Sequence, residues 1–81
     1  MPTQPRDVRE VIREEPVWRP RILAALSDAP LTVPEIAVLI GAPAHETLCW
    51  VMGMRRYGWV AEIKGSDADG YFRYEPTGRV S

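Results

Sequence analysis

The sequence predicts an α+β domain in which short helices come first and a β-hairpin comes last. Apolar residues recur at helical spacing up to Tyr57, whereas apolar and polar residues alternate from Trp59 to Ile63. Glycines and prolines punctuate the chain where one pattern gives way to the next. The aromatic segment 71–75 follows the polar, glycine-bounded stretch 65–70, which is the order expected for two strands joined by a turn.

Length and composition restrict the class of protein. A chain of 81 residues makes one domain, and a domain this small gains from a partner surface because it buries a modest fraction of its own. No apolar run approaches the roughly 18 residues of a membrane span, and no apolar segment resembles a signal sequence. The single cysteine, Cys49, excludes an internal disulfide and suits a reducing compartment, so a cytoplasmic location is expected.

The first helix is predicted to open at Pro5 and to run to Glu15. Val8, Val11 and Ile12 share one face of it, while arginines and carboxylates at spacings of three and four stabilise the rest. Two interpretations remain open. The apolar stripe packs on the rest of the domain, or Val8, Val11 and Ile12 contact a second copy and make a homodimer.

The second helix is predicted to begin at Pro20, after Pro16 ends the first. Its apolar face consists of Ile22, Leu23, Ala25 and Leu26, and Trp18 is expected to cover the core. These boundaries divide the chain into a helical arm over residues 1–16, a main domain over 17–76, and a frayed tail over 77–81.

A capping box marks the start of the third helix. Thr32 and Glu35 have the spacing at which each side chain accepts from the backbone N–H of the other, and Pro34 lies in the first turn. Gly41 is predicted to end this helix, and Pro43 to begin the next one. The predicted apolar face of the third helix consists of Ile36, Ala37, Leu39 and Ile40.

The fourth helix is predicted to bury Thr47, Val51 and Met54, which fall at spacings of four and three, with Trp50 flanking them. Gly53 is interpreted as a point of close packing, because glycine inside a helix costs about 1 kcal/mol relative to alanine. Two short helices joined by about three residues, the second followed by a strand, are typical of a helix-turn-helix.

This block resembles the winged helix-turn-helix superfamily, which includes bacterial repressors of the arsenical and multidrug-resistance types. The resemblance rests on LTVPEIA at 31–37, on the corner IGA at 40–42, and on MRRYGWV at 54–60, and it covers about residues 20–76. It implies a trihelical helix-turn-helix core, a small first strand at 31–33, a β-hairpin wing and an extra N-terminal helix. Terminal helices often pair such proteins as dimers.

The resemblance also implies binding to double-stranded DNA, and with it transcription regulation. The candidate contacts are His45 and Thr47 near the bases, and Arg55, Arg56, Lys64 and Arg73 on phosphates. The residues themselves weigh against this. The net charge is −1, Asp67 and Asp69 fall in the predicted turn of the hairpin, and the predicted outward side of the fourth helix lacks the long donors that usually contact base edges.

The outward side of the fourth helix supports an alternative function. Leu48, Cys49 and Met52 would form an exposed apolar patch, and such patches commonly mark protein contacts. On this interpretation the chain is a non-catalytic protein–protein interaction module that uses the winged-helix fold and has lost or weakened DNA binding.

Catalysis and metal binding are not expected. His45 and Cys49 lie four residues apart on one helix, but a closed zinc site needs four ligands, and no third group would orient a catalytic base. The sequence contains no glycine-rich phosphate-binding loop, so no cofactor is expected either.

Overall fold

The computed structural model describes the backbone of residues 7–66 and 71–79 and the side chains of residues 7–63 and 71–79. Within these residues the helices are α1 (Val8–Arg13), α2 (Glu15–Ala25), α3 (Val33–Ile40) and α4 (Ala44–Arg56), and the strands are β1 (Leu31–Thr32), β2 (Val60–Ser66) and β3 (Phe72–Pro76). Strand β3 lies between β1 and β2 and is antiparallel to both. The predicted α+β class, with a hairpin after the helices, is confirmed.

The described helices and strands contribute to one core, which is centred on α4. Trp50, Val51 and Met54 are fully buried there, together with Ile22 of α2 and Ile36 of α3. The indole N–H of Trp50 donates to the carbonyl of Val11 at 2.6 Å, which ties α1 to α4. Trp18, predicted to cover the core, stacks on Trp50 with ring centroids 4.7 Å apart.

The boundary between the first two helices differs from the prediction. Helix α1 begins after Asp7, whose side chain accepts from the N–H of Arg9, and Pro5 lies outside the described residues. Helix α2 begins at Glu15, so Pro16 occupies its first turn and Pro20 lies inside it, which makes the predicted start at Pro20 wrong. Either proline satisfies the rule for a first turn, where a missing N–H removes no helical bond, so this local signal does not choose between Pro16 and Pro20. The predicted division between residues 16 and 17 falls inside α2.

The corner between α3 and α4 follows the prediction closely. The N–H of Thr32 donates to Glu35 Oε1 at 2.9 Å, and the N–H of Glu35 donates to the Thr32 hydroxyl at 3.4 Å, which completes the capping box. Gly41 ends α3 with φ of 72°, a left-handed conformation that favours glycine. One residue differs, since Leu39, expected in the core, is exposed.

None of the described helices has the length and apolar composition to cross a membrane alone. Helices α3 and α4 meet those requirements only when taken together, and they are bent at 111° to each other.

The hairpin pairs β2 with β3 in a register that runs from Val60 opposite Pro76 to Ile63 opposite Arg73, with an irregularity before Ser66. Residues 77–79, which belong to the predicted frayed tail, make hydrogen bonds to the connection between α4 and β2. The Thr77 hydroxyl donates to the Gly58 carbonyl at 2.6 Å and its N–H donates to the Trp59 carbonyl at 3.1 Å. The Arg79 guanidinium donates to the Tyr57 carbonyl, so the tail is fastened to the α4–β2 connection.

Candidate interaction face on helix α4

Helix α4 presents one face to the core and another to solvent. Thr47, Trp50, Val51 and Met54 have no exposed surface, as the spacing predicted for three of them. The Thr47 hydroxyl donates to the carbonyl of Pro43 at 2.9 Å, which satisfies it inside the protein. The opposite side of α4 is therefore the side that can meet another molecule.

A groove of about 570 Å³ runs beside this outer face, and we call it the α4 groove. Leu48, Cys49 and Met52 form its α4 side, while Ile12 and Pro16 form the facing wall at the junction of α1 and α2. The other lining residues are Glu15, Arg19, Gly53, Arg56 and Tyr57. Both sides of the groove are apolar, so hydrocarbon surface faces solvent there and no other part of the described chain covers it.

A smaller pocket of about 330 Å³ lies between the start of α4 and the hairpin, and we call it the hairpin pocket. Aromatic rings dominate its hairpin side, and Leu48 belongs to it as well as to the α4 groove. Its lining residues are Val33, Pro34, Ala44, His45, Leu48, Tyr71, Phe72 and Tyr74. The shared leucine, 45% exposed, makes the two cavities one continuous apolar surface.

The charged groups of the α4 groove are arranged in two ways. Arg19 and Glu15, one helical turn apart, form a two-point ion pair in which Arg19 Nε donates to Glu15 Oε1 at 3.1 Å. The guanidinium of Arg19 also lies 4.4 Å from the centre of the Trp59 ring. Arg56, in contrast, lies over the ring of Tyr57 at 5.9 Å and stays exposed. Glu15 and Arg19 therefore offset each other, while Arg56 remains available.

The predicted DNA contacts do not converge on the outer face of α4. The prediction that Thr47 contacts DNA bases is wrong, because Thr47 is buried and its hydroxyl is hydrogen-bonded inside the protein. Arg55 points to the hairpin, where its Nε lies 3.3 Å from Glu62 Oε1. Arg73 is exposed, but it alternates along β3 with Phe72 and Tyr74, which line the hairpin pocket, so it lies on the other face of the sheet.

Two of the remaining DNA candidates border the apolar surface. His45 is exposed at the first turn of α4, and Arg56 is exposed in the last turn. The side chain of Lys64, together with Asp67 and Asp69, lies outside the described residues.

The predicted protein contacts do come together. Leu48, Cys49 and Met52 all line the α4 groove. Only Leu48 is exposed as predicted, whereas Cys49 and Met52 are half-buried and pack against the core. Ile12, predicted as a dimerisation residue, faces them across the groove. Val8 is also exposed, at 58%. The prediction that Val11 is a dimerisation residue is wrong. Val11 is only 4% exposed and lies in the protein's own core, so it cannot contact a second copy.

His45 and Cys49 do not form a metal site with other described residues. His45 Nε2 lies 3.9 Å from Glu46 Oε2, and Cys49 is half-buried in the groove. Across residues 7–66 and 71–79, no cluster of three or more histidine, cysteine or acidic side chains is placed to hold a metal ion.

Tyr74 adds a hydrogen bond to Glu62, the hairpin residue whose carboxylate pairs with Arg55 of α4. Its hydroxyl donates to Glu62 Oε1 at 3.5 Å, the same oxygen that meets Arg55. Burial raises the pKa of Tyr74 above its ordinary value of 10.0, the negative charge of Glu62 raises it further, and the positive charge of Arg55 opposes this only in part. Tyr74 is therefore neutral at physiological pH, and it adds no charge to the hairpin.

Pro16 and Gly53 were not predicted as residues of the site, and Ile12 was predicted only as a contact to a second copy. Ile12 and Pro16 form one wall because they lie four residues apart across the α1–α2 junction, a spacing concealed by the predicted helix break. Gly53 lines the groove, and a Cβ added to it would meet no atom within 4 Å, so its interpretation as a point of close packing is wrong.

The chain matches no protein-family model, and no curated protein is significantly similar to it in sequence.

Proposed function

We propose that this chain is a winged-helix domain that binds a protein partner through the outer face of α4. The order of helices and strands, and the position of β1 beside the hairpin, support the winged-helix fold. In that fold α4 occupies the position of the DNA-recognition helix. Its outer face here is the apolar surface of the α4 groove and the hairpin pocket, joined at Leu48.

The observation that carries this proposal is the type of side chain on that surface. A DNA-recognition face presents donors to base edges and cations to phosphates. Leu48, Cys49 and Met52 offer neither, and Arg55 is already paired with Glu62. A partly exposed apolar groove on a chain with net charge −1 fits a protein better than it fits a polyanion.

Site-specific photo-crosslinking in the source cells tests the proposal. A photoreactive amino acid at position 52, within the α4 groove, is expected to form covalent adducts with a protein. The matched control places the same amino acid at position 39, because Leu39 is 64% exposed on α3 and does not line the groove. Adducts that are absent at 52, or equal at 52 and 39, would contradict the proposal.

Duplex DNA is the second candidate, and the exposure of His45 and Arg56 at the two ends of α4 favours it. A DNA-binding regulator of this type should bind random duplex at about 50 mM salt and should lose affinity steeply as salt rises. Arg56→Gln should then reduce both the affinity and the salt dependence. Absence of binding at low salt removes this candidate and leaves the protein partner.

A further inference from the structure

The α4 groove carries a linear pattern of side chains that defines what can fill it. Leu48, Met52 and Arg56 are spaced every four residues on α4, and all three line the groove. At about 1.5 Å per residue, this row extends about 12 Å, or roughly two turns of helix. Two apolar positions are therefore followed, one turn later, by a cation.

The facing wall repeats the apolar part of the pattern. Ile12 and Pro16 lie four residues apart on the other side of the groove. Gly53, which also lines the groove, carries no side chain, and apart from its own helix backbone and chain neighbours no atom lies within 4 Å of the place a Cβ would take. A helix placed between the two walls could insert apolar side chains at a spacing of four, which is how amphipathic helices occupy grooves.

The charged residues that line the groove favour an occupant that carries a negative charge. Of the three charged residues that line the groove, Glu15 and Arg19 are bound to each other. Arg56 meets the ring of Tyr57, and no ion pair joins it to any carboxylate of the described residues. Covering Arg56 with an apolar partner would desolvate an uncompensated charge, which is costly. An occupant with a carboxylate at this end avoids that cost.

We propose, on the basis of the proposed function, that the α4 groove binds an acidic amphipathic helix of a partner protein. This helix presents two apolar side chains four residues apart and a carboxylate four residues further on. Helix α1 of a second copy fits less well. Its exposed residues Val8 and Ile12 have the apolar spacing, but the residues four positions before and after this pair in the sequence, Gln4 and Pro16, carry no carboxylate.

Two helical peptides, each constrained by a side-chain staple and labelled with fluorescein, test the charge. Both carry two leucines four residues apart, and they differ only in glutamate or lysine at the third position. The full chain is expected to bind the glutamate peptide at least about tenfold more tightly, a difference of about 1.4 kcal/mol. Equal affinities, or no binding of either peptide at about 1 mM, would overturn the proposal.

Variants locate the binding to the groove. Met52→Arg should weaken binding of the glutamate peptide about tenfold or more, and Arg56→Glu should reverse the preference between the two peptides. Leu39→Arg, on α3, should change neither, and circular dichroism melting verifies that each variant is folded. A preference that survives Arg56→Glu would show that Arg56 does not select the occupant.

The outcomes separate this inference from the proposed function. If position 52 crosslinks to a protein while neither peptide binds, the partner lies on this face but is not an acidic helix. If crosslinking and peptide binding both fail, both proposals are wrong. A homodimer that Met52→Arg converts to a monomer would show that a second copy fills the groove, which also overturns the inference.

Discussion

Gly53 is a helical glycine with no steric reason to be glycine. It lies inside α4, and an added Cβ would meet no atom within 4 Å. Gly53→Ala should therefore raise the free energy of unfolding by about 0.5–1 kcal/mol, because alanine loses less conformational entropy in a helix. Urea denaturation measures the change.

The matched control for Gly53 is Gly41, which is equally open but has φ of 72°. Gly41→Ala should lower the free energy of unfolding by about 1–2 kcal/mol, because a Cβ strains the left-handed conformation. Equal effects at the two positions would contradict the backbone explanation.

Tyr74 predicts how stability responds to alkaline pH. Its pKa is raised in the folded protein, chiefly by burial and then by Glu62, so the folded state holds the phenolic proton more tightly than the unfolded state does. Its contribution is fully present below the unfolded pKa of about 10 and is lost as pH rises through the higher folded pKa. Thermal unfolding midpoints should therefore fall above pH 10, and less so in Tyr74→Phe. Parallel pH profiles for the two proteins would refute this.

The sequence predicted some of the individual residues of the site. Leu48, Cys49 and Met52 follow from helical periodicity, because the buried set of α4 determines which residues face outward. Thr47 was assigned both to the core and to the bases, and its burial decides for the core. The pairing of Arg55 with Glu62 depends on where the hairpin packs, which no local pattern contains.

At the element scale, the best predictions came from signals within one turn of helix. The capping box at Thr32 and the glycine end at Gly41 involve only neighbouring residues, so their spacing is sufficient. The start of α2 was missed because Pro16 and Pro20 carry the same local signal. The choice between them depends on tertiary contacts, including the Arg19 cation above Trp59.

The tail is the element whose order the sequence did not indicate. Thr77→Val keeps the side-chain shape but removes the hydroxyl that donates to the Gly58 carbonyl. It should lower the free energy of unfolding by about 0.5 kcal/mol, near the lower limit for a hydrogen bond because the site is exposed. Hydrogen exchange should also show the Thr77 amide, bonded to the Trp59 carbonyl, to be slower than the amide of Gly78. Equally fast exchange at both amides would mean that the tail is not fastened.

At the scale of the whole molecule, the predicted homodimer stays a prediction, and the structure limits where it could form. Val11 belongs to the core, so removing α1 would damage the fold and could not test dimerisation alone. Val8→Arg is the sharper change, since Val8 is exposed and does not line the α4 groove. A dimer formed through α1 should become a monomer in sedimentation, whereas Val38→Arg on α3 should leave its mass unchanged. A dimer that persists in Val8→Arg does not use this face.

The fold places the chain's single thiol, Cys49, inside the α4 groove. A maleimide or a spin label would therefore attach at one known point, without engineered cysteines. Any ligand that enters the groove should slow alkylation of that sulfur in proportion to the fraction of molecules it occupies. The alkylation rate of Cys49 in the wild-type protein thus measures occupancy of the groove directly. It can be used to test any candidate ligand before that ligand's binding site is known.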